Sequence, residues 1–464
     1  MLETKLVKLL KSFNKQDLRQ AKDFVYAPFF NKNENVRLLF DIVKKHHPNY
    51  TISKAKVYSK LFPRKKYDDL KLRHLMSMLY KVLEDFLAVR HFYEDGKQKN
   101  LSLLESLYNL KLPSQFKKTE KRVGPALKQN TPADSGNHYY AFRYALLKED
   151  FEQIHRERRK TTRLQDVGQH LDDFYIINKL KNACAMLSYQ NVYQQEYDYT
   201  LLDTLLQYLE KHPPKNKLIQ LYLAGLFCIK ESENLKHFVQ LKKLLQSSKD
   251  IALDELQQLH AIARNYCIKQ VNTGNTAFFR DLFELYQLGL KDKILLDAEG
   301  YMSPAAFKNI LTVALKVEAF DWTYQFIKEE MHLLKVAERE SLYHYGLGKL
   351  YFQKKEYDKV VQALMQVEYT DVFVMLDSKT LLLKTFYELD EMESLAALLH
   401  SFKQLLQRKT ILAYHQENYK NLVRFTKQMI NLPPYNKKRR EALIQKVKAA
   451  KILTEREWLL ENLE

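Results

Sequence analysis

Ten glycines in 464 residues narrow the fold more than any other feature of this chain. Average usage is roughly 7 %, so a chain of this length ordinarily carries about three times as many. Phosphate-cradling loops and two-residue hairpins need glycine where φ is positive or where a backbone must approach closely. Leu, Lys, Glu, Gln and Ala, all good helix formers, fill the space instead. The expected class is therefore all-α, and the shortage argues against nucleotide-binding α/β folds. Hydrophobic residues at 46 % and aromatics at 12 % supply a substantial core, which argues against wholesale disorder. The length suits two or three ordinary domains or one continuous helical array.

Apolar spacing and helix stops divide the chain into three regions. Residues 1–113 read as an N-terminal helical bundle. Leu6, Leu9, Leu10 and Phe13 mark one helix, and Leu18, Ala21 and Phe24 a second that stops before Pro28. Val36, Leu39, Phe40 and Val43 form a third, ending at His46–His47–Pro48. Ser53 caps a short helix that halts before Pro63, with Phe29, Phe30, Leu61 and Phe62 expected to anchor the turns in the core. Leu72, Leu75, Met76, Leu79, Leu83, Phe86 and Leu87 recur at the spacing of one buried helical face, after a cap at Asp68 or Asp69. Residues 114–137 are basic and polar, with two prolines and two glycines, and read as a linker or long surface loop. From 138 to 464 one helix follows another, with turn signals at Pro213–Pro214, Asn272–Gly274, Asp297–Gly300 and Pro433–Pro434.

A repeat runs through the second half. Leu311, Leu347 and Leu383 are spaced by 36, as are Leu315, Tyr351 and Tyr387. The unit at 342–367 resembles a tetratricopeptide repeat. Leu347 and Gly348 match the Leu-Gly pair of its first helix, Tyr351 the aromatic that follows, Tyr357 the aromatic between helices, and Val360 a small residue of the second. Thr312 and Lys384 stand where the flanking units would carry the glycine, and 36 replaces the usual period of about 34. The resemblance implies an α-solenoid of helix pairs over 138–464, whose first helices line a groove for peptides or helices of another protein. His344, Lys349 and Gln353 lie off the apolar stripe of Leu347, Leu350 and Tyr351, and are the candidate groove residues. In the N-terminal block, Tyr26–Lys32 and Leu61–Leu79 resemble segments of uncharacterised bacterial proteins, a likeness that carries no activity.

The formal net charge is +19 and is unevenly spread. Residues 1–130 hold 28 Lys/Arg against 13 Asp/Glu, and residues 403–451 hold 13 against 2, while 131–402 hold 33 against 37. Arg64, Lys65 and Lys66 form one cluster, joined by Lys71 and Arg73. Lys117, Lys118, Lys121 and Arg122 form another, and Lys437, Lys438, Arg439 and Arg440 a third. Arg64–Lys66 and Lys437–Arg440 are the candidate phosphate contacts, which makes nucleic acid the alternative partner and a nucleic-acid-associated regulator the alternative function. The short helices before a long one resemble the DNA-binding half of regulators that join a winged helix to helical repeats, but after Phe86 no wing-like alternation follows.

Catalytic signatures are missing. There is no phosphate-binding loop, dinucleotide fingerprint or His-Glu-x-x-His, and Gly346–Lys349 lies inside the best repeat helix. His46 and His47 are adjacent and diverge on a helix; His400 and His415 are isolated. Asp68–Asp69 and Asp172–Asp173 fall where acids serve a helix dipole. Cys184, Cys228 and Cys267 fit neither a disulfide framework nor a zinc site, and are expected to be buried free thiols. No enzyme, cofactor or metal is expected. With no signal-like or bilayer-spanning stretch, the expected location is cytoplasmic, away from any membrane.

Overall fold

The computed structural model describes residues 4–129, 132–154, 163–193, 195–367, 371–408, 413–433 and 436–464, the side chains of 191–193, 408 and 413–415 excepted. Pro434, Tyr435 and the His415 side chain therefore lie outside the described residues. Among those described there are twenty-three α-helices and no strand. The chain is all-α, and it divides into two compact units, Met1–Lys179 and Leu180–Glu464.

The first unit opens with α1 (Lys5–Lys11), α2 (Lys15–Tyr26), α3 (Glu34–Lys44), α4 (Lys54–Leu61) and α5 (Asp69–Glu94). Caps set their starts. Asn14 and Asp17 form a reciprocal capping box at α2, Ser53 caps α4, and Asp68 accepts from Lys71 N at 2.9 Å at α5. Leu72, Leu75, Met76, Leu79, Val82, Leu83 and Phe86 are the buried face of α5, packed on Leu10, Leu18, Phe40 and Val57 of the shorter helices. The turn anchors divide. Leu61 is buried, but Phe29 is 89 % exposed, because the turn after Pro28 directs Phe30, not Phe29, onto Phe24 at 4.0 Å.

A second core follows, and it corrects the expected domain boundary. It is built from α6 (Gly96–Asn109), α7 (Pro113–Lys128) and α8 (Ser135–Ile154). The stretch expected as a linker over 114–137 is mostly helix. Pro113 sits in the first turn of α7, where its missing N–H costs nothing. Phe116, Val123 and Leu127 recur on one face and bury against Leu104, Tyr144, Leu147 and Phe151, with Phe116 stacked on Phe151 at 3.9 Å. Gly124, buried against Tyr144, and Glu120, bonded to Tyr144 and Lys148, complete the inner face that these three apolar anchors begin. Then α9 (Leu164–Tyr193) runs through the division between the units.

The second unit continues with α10 (Leu202–Lys211), α11 (Lys217–Lys230), α12 (Leu235–Gln246), α13 (Leu253–Asn272) and α14 (Phe278–Lys291). After these come α15 (Pro304–Lys316), α16 (Phe320–Glu329), α17 (Val336–Gln353), α18 (Tyr357–Leu364), α19 (Val372–Glu388), α20 (Met392–Arg408) and α21 (Ala413–Ile430). The chain closes with α22 (Lys437–Ala449) and α23 (Arg456–Glu461). Through α11–α19 each helix packs on its successor, while α11 packs on α13, α15 on α17 and α17 on α19. Two glycines of α17 permit these approaches. A Cβ on Gly346 would lie 3.2 Å from Ile327 of α16, and one on Gly348 would lie 2.6 Å from Leu364 of α18. The glycines of the Gly346–Lys349 run are thus packing residues.

The helix ends recur as well. Ala319 N donates to Ala314 O, Glu356 N to Tyr351 O and Glu391 N to Phe386 O, each at 2.9–3.0 Å. The residue before each of these donors, Glu318, Lys355 and Asp390, is left-handed at φ 57–59°. The same helix-ending turn also closes α6 at Lys111, α13 at Gly274 and α14 at Lys293. From Ala314 to Tyr351 is 37 residues and from Tyr351 to Phe386 is 35, so the sequence spacing of 36 averages two unequal steps. In the structural register Gly348 corresponds to Leu311 and Leu383, all three buried.

Candidate functional site

The same register places Thr312, Lys349 and Lys384 at one position of α15, α17 and α19. One turn earlier it places Lys308, Tyr345 and Thr380, and one turn later Lys316, Gln353 and Glu388. Residues four apart share a helix face. All of these but Lys308 and Glu388 wall a cavity of about 290 Å³, with Asp377 of α19, Tyr419 of α21 and the Thr454–Glu455 turn completing it. A shallower depression of about 600 Å³ adjoins it, lined by Lys316, Gln353, Lys355, Lys384, Glu388 and residues of α23.

Asp377 is the hub of the cavity. Tyr419 Oη donates to its Oδ1 at 3.0 Å, Tyr345 Oη to its Oδ2 at 3.4 Å, and Lys308 Nζ lies 3.4 Å from Oδ2. Burial raises the pKa of both tyrosines, and the Asp377 charge raises it further, so both are neutral donors at any ordinary pH. Lys349 is the deepest cation. Its Nζ donates to Thr312 Oγ1 at 3.1 Å, and among the described residues no carboxylate lies within ion-pair distance of it. Burial lowers its pKa, opposed by Asp377 and Glu455 and assisted by Lys308 and Lys384. Lys384 Nζ is paired with Glu455 Oε2 at 2.8 Å. Thr380 Oγ1, also on the wall, is buried without a hydrogen-bond partner. The lining lysines Lys316, Lys349 and Lys384 outnumber Asp377 and Glu455. Such a cavity suits an anionic group and offers it hydroxyl donors as well.

Two of the three groove residues expected from the sequence, Lys349 and Gln353, line this cavity. His344 does not; its ring is half-buried against Tyr343 at 5.3 Å. Sequence reasoning missed Lys308, Asp377, Lys384 and Tyr419. The signal that finds them is the i, i+4 row of polar residues carried in register from helix to helix, which the averaged spacing blurred by one residue.

The expected phosphate contacts are all exposed but differently arranged. Arg64 is left-handed at φ 67° in the turn after α4, with Lys65 Nζ 5.9 Å from the Phe62 ring. Lys437–Arg440 open α22, where Asn436 caps Arg439 N; four consecutive helical residues point four ways. The most ordered cationic row is on α7. Ser114, Lys117, Lys118, Lys121 and Arg122 share one face and line a shallow depression. The acid of that helix, Glu120, turns inward to Tyr144 and Lys148. Elsewhere, Cys184, Cys228 and Cys267 are buried free thiols, and burial pushes Cys228 and Cys267 up to about 12. Among the described residues no group of three or more His, Cys, Asp or Glu could hold a metal, and no helix is long and apolar enough to cross a membrane.

Fold and site together define an all-α protein with a polar, cation-rich cavity walled by alternate helices of its second unit. Compared with known proteins, the sequence matches no family model, no curated protein and no solved structure.

Proposed function

We propose that the chain is a non-catalytic, cytoplasmic interaction scaffold whose second unit is an α-solenoid of tetratricopeptide-like helix pairs, and that the cavity on α15, α17, α19 and α21 receives a segment of another protein. The observation that carries this is the row Thr312–Lys349–Lys384, repeated in register, whose middle member, the desolvated ammonium of Lys349, has no carboxylate within ion-pair distance among the described residues. A structural lysine would be paired, since an unpaired buried charge is costly. A receptor holds such a charge in reserve for its ligand. The turns at Glu318, Lys355 and Asp390, spaced by 37 and 35 residues, support the repeat reading. The test is affinity capture with tagged full-length protein, comparing wild type with a Lys349→Glu/Gln353→Ala variant shown to be folded by circular dichroism and melting. A partner retained in stoichiometric amount by wild type should be lost by the variant. If every retained protein stays bound, this surface is not the binding site.

A second reading, a nucleic-acid-associated regulator, is favoured by the α7 row. Lys117, Lys118, Lys121 and Arg122 are exposed, make no ion pair among the described residues, and face one way. The apolar face of α7 is occupied by the core, so the helix has none left to insert into a lipid surface. A linear polyphosphate matches such a row. Reversing these four charges should sharply weaken retention of a short mixed-sequence duplex at low salt; unchanged retention would sink the reading.

A further inference from the structure

The cavity is already approached by part of the same chain. After α22 the backbone turns at Thr454–Glu455, where Glu455 is left-handed at φ 54°, a conformation disfavoured for residues bearing a Cβ. Glu455 stands at the N-cap of α23, yet its carboxylate makes no cap hydrogen bond. It reaches across to Lys384 Nζ at 2.8 Å instead. Three residues on, Trp458 is 6 % exposed and meets Tyr387 edge-on at 5.4 Å. Lys384 Nζ lies 5.8 Å from the Trp458 ring and 5.1 Å from Phe352. One lysine of the cavity wall is therefore engaged by a carboxylate and an indole together.

The charges of the two sides are complementary. Residues 452–464 carry Glu455, Glu457, Glu461 and Glu464 against Arg456 alone. The helices they approach present Lys316, Lys355 and Lys384 against Glu388. The fit is incomplete. Among the described residues Lys349 meets the Thr312 hydroxyl and, at 5.9 Å, the Tyr345 ring, but no carboxylate within ion-pair distance, and Trp458 Nε1 is buried without a hydrogen-bond partner. A segment tuned solely to close the end of a helical array has no reason to leave both unsatisfied.

We infer that the cavity is a receptor for acidic peptide segments in which a carboxylate is followed three residues later by an aromatic, and that residues 454–461 hold it in a self-occupied state which such a peptide displaces. The inference rests on the scaffold reading above and names the ligand class for that site. An external ligand reaches Lys349 as well as Lys384, and so gains an interaction the internal segment leaves unmade.

The test uses the full chain and a fluorescein-labelled synthetic peptide of residues 452–464, read by fluorescence anisotropy. Wild type should bind it weakly. Glu455→Gln, which keeps the shape and removes the charge, should bind it at least tenfold more tightly. Adding Lys384→Glu to Glu455→Gln should return binding to the wild-type level or below. A peptide lacking the glutamate at 455 and the tryptophan at 458 should not compete. In hydrogen–deuterium exchange, saturating peptide should deprotect 454–461 of the chain. Equal affinity for wild type and Glu455→Gln, or binding indifferent to Lys384→Glu, overturns the inference. If no variant binds the peptide while Lys349→Glu/Gln353→Ala still loses its protein partner, self-occupation is wrong and the groove reading stands. If that double variant also loses nothing, both fall.

Discussion

At the scale of single residues, the buried polar groups of the second unit set its response to acid and to mutation. His260 on α13 is 1 % exposed, and its Nδ1 has no hydrogen-bond partner. Burial, aided by the Arg264 charge, lowers its pKa from the ordinary 6.5 to about 4. The unfolded chain takes up this proton near pH 6.5 and the folded chain does not, so stability falls as pH drops from about 6.5 toward 4 and levels below that. The gap is worth about 3 kcal/mol. His260→Leu should flatten that part of the stability–pH curve in urea titrations; an undiminished slope would mean another group carries it. Glu255 is the converse case. It is 1 % exposed and accepts from Lys181 Nζ at 3.0 Å and from Tyr222 Oη, tying α9, α11 and α13 together. Glu255→Ala leaves a lysine and a phenol short of their partner and should cost about 3–5 kcal/mol in the same titrations. A loss below 1 kcal/mol would show that water replaces the carboxylate. Neither role was legible in the sequence, because a polar residue on an apolar stripe looks alike whether its partner lies across a helix gap or in solvent.

At the scale of helices, most of the left-handed helix stops among the described residues are made without glycine. Left-handed residues end helices at Lys111, Lys293, Glu318, Lys355 and Asp390, and a glycine does so at Gly274. Each non-glycine residue there bears part of the roughly 1–2 kcal/mol penalty of left-handed backbone. Lys355→Gly and Asp390→Gly should each raise stability by about 0.5 kcal/mol, the penalty relieved less the entropy glycine adds to the unfolded chain. Thermal melts showing both variants less stable would mean these side chains are held by contacts beyond their turns. Gly348 shows the opposite pressure. Alanine there gains roughly 1 kcal/mol in helix propensity, but its Cβ meets Leu364 Cγ at 2.9 Å, and overpacking costs about 1–3 kcal/mol. Gly348→Ala should lose about 1 kcal/mol net. The all-α class, the face of α5, the cap at Ser53 and, to within one residue, the cap at Asp68 were legible because periodicity and capping act within one helix. Helix α7 was not, since Phe116, Val123 and Leu127 are too sparse to outweigh the proline, glycine and lysine around them. The cavity was half legible. Lys349 and Gln353 follow from their place off the apolar stripe, whereas Asp377 and Tyr419 join it only through packing between helices far apart in sequence.

At the scale of the whole molecule, net charge alone cannot say where a polyanion would bind, but the direction of the charges can. Three cationic clusters compete. The Arg64–Lys66 turn is short, and Arg73 beside it is paired with Asp69 at 2.8 Å. Lys437–Arg440 fan around the first turn of α22, at the positive end of its dipole, and cannot all meet one strand. Lys117, Lys118, Lys121 and Arg122 are aligned along one face of α7. Each phosphate neutralised on duplex DNA contributes about 0.9 to the slope of log affinity against log salt. For the full chain titrated with a mixed-sequence duplex, reversing the four α7 charges should therefore lower that slope by about 3 to 4. Reversing Lys437–Arg440 removes as much formal charge and should lower the slope by about 2 or less, because only part of a fanned cluster reaches the backbone. Equal effects from the two sets would mean that the duplex senses only total charge, and α7 would lose its claim to be an interface. A larger effect from Lys437–Arg440 would move the contact to the second unit, where an acidic peptide and a nucleic acid would act on the same unit of the fold.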